Sequence, residues 1–136
     1  MIYLILDVHY KESQEADAIT ATVAGIRFEG IEQSRILNEY TIKVNEIAPY
    51  ESGQFYKREM PCLLALINQI DEPFDVIIID GYVFLDGVSK AGLGKYLYDN
   101  LDNKKPIIGI AKNHFYDIPE DYAVWRGVSK HPLYVT

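Results

Sequence analysis

Apolar residues in this chain fall into strand-length runs, one alternating segment and one stripe of helical spacing. Tyr3-Leu4-Ile5-Leu6-Asp7-Val8-His9-Tyr10 and Phe74-Asp75-Val76-Ile77-Ile78-Ile79-Asp80 are nearly continuous apolar runs, each with an acid inside it. Runs of this length without alternation read as strands covered on both faces. A polar turn over residues 11–17 leads to Ala18–Phe28, where small residues and threonine also fit a helix; Thr, Val and Ile weigh towards a strand. Leu37–Ile47 alternates between apolar and polar, as a half-buried strand does. Three consecutive strands with short turns predict an antiparallel meander.

Residues 48–53 break the pattern, and a helix is expected from Glu59-Met60-Pro61, with Pro61 tolerated because first-turn amides need no internal partner. Met60, Leu63, Leu64, Ile67 and Ile70 form its core stripe. The segment 82–90 reads as a loop, Ala91–Leu101 as a helix weakened by Gly92 and Gly94, and Lys105–Lys112 as a second buried strand parallel to the first through a crossover. Residues 113–121 form a loop, and His131–Thr136 a last short strand. The expected class is α/β and ribonuclease H-like: a mixed sheet of three antiparallel strands followed by parallel strands, flanked by helices, in one domain over residues 1–136.

Composition narrows the function. With 136 residues, 49% of them hydrophobic, the chain can bury a real core, into which Cys62 and Trp125 are expected to pack. A net charge of −7 opposes broad nonspecific binding of nucleic acid. A single cysteine excludes an intramolecular disulfide, and the apolar run Ile2–Leu6 is too short to span a membrane and lacks signal-peptide flanks. These features point to a cytoplasmic protein with no membrane partner.

Three acids occupy informative positions. Asp80 ends the central strand, at the edge where open α/β sheets place their ligands, although an aspartate before Gly81 also suits a turn. Asp7 shares the parity of Tyr3 and Ile5, so its carboxylate is expected on a covered face, where it needs a partner or a metal. Glu59 is four residues before Leu63 and lies along the buried helix face, either salt-bridged to Arg58 or Lys57 or holding a cation. Together such carboxylates suit Mg²⁺, or Mn²⁺, in phosphodiester hydrolysis, with Lys112 neutralising charge on phosphate.

Pro49-Tyr50, Phe55, Arg58-Glu59 with Pro61, Asp75-Val76-Ile77-Ile78-Ile79-Asp80-Gly81, Pro106-Ile107-Ile108-Gly109-Ile110-Ala111-Lys112 and Pro132-Leu133-Tyr134-Val135 together resemble the endonuclease V family. Members of that family nick nucleic acid beside deaminated purines, chiefly inosine. About half of the chain is covered closely by the resemblance, and most of it loosely. It implies that Asp7, Glu59 and Asp80 are metal ligands, that Lys112 is the active-site lysine, and that Tyr50 is the aromatic wedging beside the lesion. Gly81 and Tyr82, directly after Asp80, and His114 as a phosphate contact complete the expected substrate-binding set.

The sequence also departs from the family pattern. Glu51-Ser52 replaces Ile-Pro after the wedge tyrosine, Tyr82-Val83 and Asp86-Gly87-Val88 replace His- or Gln-Gly and His-Pro-Arg segments, and Tyr96 stands for a helix histidine. Basic residues available to a phosphate backbone are Lys90, Lys95, Lys104, Lys105, Arg126 and Lys130. The expected function is a metal-dependent endonuclease acting on DNA or RNA, inosine-containing substrates among them. The alternative is a non-catalytic relative serving as a binding or interaction protein.

Overall fold

The computed structural model describes residues 1–13, 18–45, 47 and 55–136. The elements are β1 (Ile2–Ser13), β2 (Ala18–Glu29), β3 (Arg35–Val44), α1 (Phe55–Ile67), β4 (Val76–Asp80), α2 (Leu93–Asn100), β5 (Ile107–Ala111), a 3₁₀ turn (Glu120–Tyr122), β6 (Ala123–Val124) and β7 (Leu133–Val135). All seven strands form one mixed sheet in the order β3-β2-β1-β4-β5-β7-β6. β1, β2 and β3 pair antiparallel, while β1-β4 and β4-β5 are parallel.

The meander and the parallel crossover follow the sequence pattern closely. Most element ends shift by one to three residues, and the larger differences are in β1, α1 and β6. β1 runs to Ser13 and pairs with β2 as far as Ala18, absorbing residues expected in the turn. α1 starts at Phe55, a turn before the predicted start, so Pro61 lies inside the helix and Ile70 beyond its end. β6 was not expected at all; two residues leave too little periodicity to read.

One core cluster joins the helices to the sheet: Leu4, Leu6, Ala21, Val23, Ile77 and Ile79 from the strands meet Cys62, Leu63 and Leu66 of α1 and Leu93 and Leu97 of α2. Cys62 is fully buried there, as a small hydrophobe should be. Among the described residues both helices cover this one face. On the other face Ile5 is 39% exposed and Asp7 is exposed, so the cover expected over Asp7 is not found among the described residues. Trp125, expected in the core, is also exposed, because it follows the edge strand β6 into a turn.

The parallel strands are joined to the chain's last residues at one close contact. Gly109 exchanges two backbone hydrogen bonds with Thr136, and the Thr136 hydroxyl accepts one from the Val83 amide at 2.9 Å. A Cβ at Gly109 would collide with the Gly81 carbonyl and come within 2.9 Å of the Val83 nitrogen and of Thr136 Oγ1. Because the neighbours are mostly backbone, they cannot yield cheaply. Gly109→Ala should lower stability by about 1–3 kcal/mol, read as a lower urea midpoint at unchanged slope.

Candidate active site

The acids meet at the carboxyl edge of the parallel strands. The last parallel pair between β1 and β4 is Leu6 with Ile79, so Asp7, midway along β1, and Asp80, the last residue of β4, follow side by side where that pairing stops. Leu6 and Ile79 point into the helix-covered core, and strand alternation therefore sends both aspartates towards the opposite face. Glu59 approaches from α1, on the helix side. The site straddles the edge of the sheet, and Asp7, Glu59 and Asp80 line a single narrow cleft together with Leu6, Leu63, Ile79 and Leu93.

Glu59 is the buried member, 8% exposed. Burial raises its pKa to about 7, and the charges of Asp7 and Asp80 push in the same direction. The Tyr10 hydroxyl and the Arg58 guanidinium oppose that rise. Tyr10 comes from the helix-facing side of β1, and the Arg58 guanidinium carbon lies 3.9 Å from the centre of its ring. Among the described residues neither the Tyr10 hydroxyl nor Arg58 Nε has a hydrogen-bond partner of good geometry, although both are buried. Tyr10 was missed in the sequence; its parity, opposite to that of Asp7, was the available signal.

Asp80 is half exposed and pairs with Lys112 Nζ at 3.6 Å, while an Asp7 oxygen accepts the Val8 amide at 2.9 Å. Gly81 turns the chain away with φ of 146°, a conformation that L side chains rarely adopt. Its amide donates to the Ile110 carbonyl at 2.9 Å, tying the turn to β5.

Asp80 and Lys112 also border a larger cleft of about 560 Å³, walled by Tyr56, Tyr82, Tyr96, Gly92 and Asn113. Tyr56 and Tyr96 stack with centroids 3.7 Å apart, linking α1 to α2. Tyr82 is buried; its hydroxyl donates to the Asn113 carbonyl at 2.6 Å and accepts the Phe115 amide at 3.2 Å. The segment after it is well ordered by Asp86, whose carboxylate accepts the amides of Val88, Ser89 and Lys90. Those bonds hold the Asp86 carboxyl well below its ordinary range. Lys90 reaches back from this segment to Tyr116 and Asp117.

The expected set is therefore brought together in part. Asp7, Glu59, Asp80 and Lys112 converge on one edge, with Gly81 and Tyr82 beside them. His114 packs edge-on against Tyr134 at 5.3 Å and lines neither cleft. Tyr50 lies outside the described residues. Among the described residues no three His, Cys, Asp or Glu side chains are drawn tightly enough together to hold a metal ion as they stand. The chemistry of the three acids still fits a hard divalent cation: each would offer carboxylate oxygens, and Glu59 is a buried carboxylate whose ionisation two neighbouring acids oppose.

A family model described as Endonuclease V matches residues 4–134. The chain belongs to the endonuclease V family. Endonuclease V from Bacillus subtilis superposes with a TM-score of 0.75 at 17% identity, and that from Streptomyces avermitilis with 0.74 at 21%. They cover 99% and 100% of this chain, which spans 64% of each of theirs. Ciona intestinalis endonuclease V, in complex with a 24mer DNA containing an inosine followed by a ribo-adenosine, gives 0.63 at 19% identity over 82% of this chain and 46% of that one. At these identities the likeness is one of fold. A comparison with curated proteins finds no match.

Glu59 makes a pH test available in the absence of divalent cations. A carboxyl raised from 4.5 to about 7 in the folded state contributes stability that is fully present below pH 4.5 and lost as pH rises through about 7. Chemical denaturation between pH 4.5 and 7.5 should lose up to roughly 3 kcal/mol from this group. In Glu59→Gln that part of the pH dependence should vanish.

Proposed function

We propose that this protein is a metal-dependent endonuclease that hydrolyses phosphodiester bonds of nucleic acid beside deaminated purines such as inosine. Family membership and the convergence of Asp7, Glu59 and Asp80 at one sheet edge support the reading. The observation that carries it is Glu59: a carboxylate buried against two other acids is costly unless a cation occupies the space between them.

Asp7, Glu59 and Asp80 would hold the ion, which when bound supplies charge stabilisation at phosphorus and an acidified water. The chain's own groups do the rest. Lys112, whose pairing with Asp80 places a cation at the mouth of the cleft, offsets the charge that develops on the phosphate oxygens. Water adds to phosphorus, the bond to the sugar oxygen breaks, and a proton passes to that oxygen.

The 560 Å³ cleft beside Asp80 suits a base turned out of the stack. Tyr56, Tyr82 and Tyr96 offer apolar walls, and the Lys112 and Asn113 end offers polar contacts for the base edge. Tyr50, at the position that wedges in the family, would fill the space left by the base.

Purified protein with Mg²⁺ or Mn²⁺ should nick inosine-containing DNA or RNA, and Asp80→Ala should slow that cleavage at least about 100-fold. Cleavage no greater than in the Asp80→Ala control would overturn the assignment. Retained binding to the same oligonucleotides would then mark a binding protein built on this fold.

A further inference from the structure

Six basic residues are available to a phosphate backbone, and four of them are already engaged. Lys95 pairs with Asp99 at 2.6 Å, and Lys104 donates to the carbonyls of Tyr98, Asp99 and Leu101 at the end of α2. Lys105 sits over the Phe74 ring, and Lys90 is held by Tyr116 and Asp117. Among the described residues the side chains of Arg126 and Lys130 have no hydrogen bond, ion pair or ring contact.

Both lie in the connection from β6 to β7, residues 125–132. β7 runs antiparallel to β5 and β6 antiparallel to β7, so β6 runs along β5. Ala111 and Ala123 both stand opposite Tyr134, which puts the β6–β7 connection at the carboxyl edge of β5, beyond which Lys112 follows. This is the edge that carries Asp80.

The connection has the composition of a nucleic-acid contact. From Val124 to Thr136 it contains no acid, in a chain whose net charge is −7. The nearest preceding acids, Glu120 and Asp121, are in the 3₁₀ turn before β6. Trp125 is 59% exposed and Val128 fully exposed. The shape is set in advance: the Ser129 amide donates to the Arg126 carbonyl at 3.0 Å across a turn in which Gly127 takes φ of 51°. An exposed indole flanked by two unengaged cations is the combination that grips a strand, through stacking on a base face and contact with phosphates.

We infer that Trp125, Arg126 and Lys130 form a docking element for the nucleic-acid strand as it leaves the active-site cleft. Base stacking on Trp125 and phosphate contacts from the two cations would locally offset the acidic total. The inference rests on the nucleic-acid reading proposed above, but it concerns residues outside the acid site.

Trp125 is the sole tryptophan, so its fluorescence reports on this element alone. An inosine-containing oligonucleotide, end-labelled for anisotropy, would be titrated into the protein with Ca²⁺ in place of Mg²⁺ to suppress cleavage. Binding should quench the indole emission. Trp125→Ala should weaken binding about tenfold, with Trp125→Phe restoring most of it. Arg126→Ala with Lys130→Ala should lower the slope of log affinity against log salt by about 1.5. Anisotropy showing tight binding without quenching, and with affinity unchanged in these variants, overturns this inference while leaving the proposed function standing. No binding by either signal overturns both.

Discussion

A carboxylate that burial and two neighbouring acids make hard to ionise is the constraint around which the site is arranged. Glu59 stands on a helix packed over the sheet, and Asp7, midway along β1, stands beside Asp80, the last residue of β4, just beyond the last parallel pair of the two strands. The fold forces this meeting: the parallel β1–β4 pairing stops where β4 ends, while β1 runs on past Asp7, and α1 packs on the covered side of the same sheet. Tyr10 and Arg58 ease the strain without removing it. A pKa near 7 is the residue of that imbalance, and a bound cation is the simplest way to resolve it.

The surroundings divide the work. Lys112 lies at the open side of Asp80, where charge on a phosphate would need an opposite sign. The aromatic cleft opens beside Asp80 and Lys112, and its wall is held in shape by the Tyr82 hydroxyl and by the amides gathered on Asp86. The segment after Asp80 is the one that departs most from the family pattern, yet here it is a well-bonded wall.

Much of this was legible in the sequence, for physical reasons particular to each element. Continuous apolar runs marked β1, β4 and β5; Asp7 and Asp80 stood out because they interrupt or end such runs, and Glu59 because its spacing to Leu63 puts it along the buried helix face. Trp125 was misread because a large aromatic is usually buried, and nothing local shows that a two-residue edge strand will leave it outside. The cover expected over Asp7 was misread because an apolar run cannot say whether the second face is packed. The relation between Glu59 and Tyr10 depends on how a helix and a strand cross, which one-dimensional spacing does not contain.

A cation held by Asp7, Glu59 and Asp80 would have to displace the proton that burial keeps on Glu59. Calorimetric titration of the apo protein with Mn²⁺ at pH 6.5, in two buffers of different ionisation enthalpy, tests it directly. Binding should release a fraction of a proton per ion, with the proton release lost in Glu59→Gln and binding much weakened in Asp80→Ala. Absence of binding at millimolar Mn²⁺, or binding unaffected by Asp80→Ala, would contradict it.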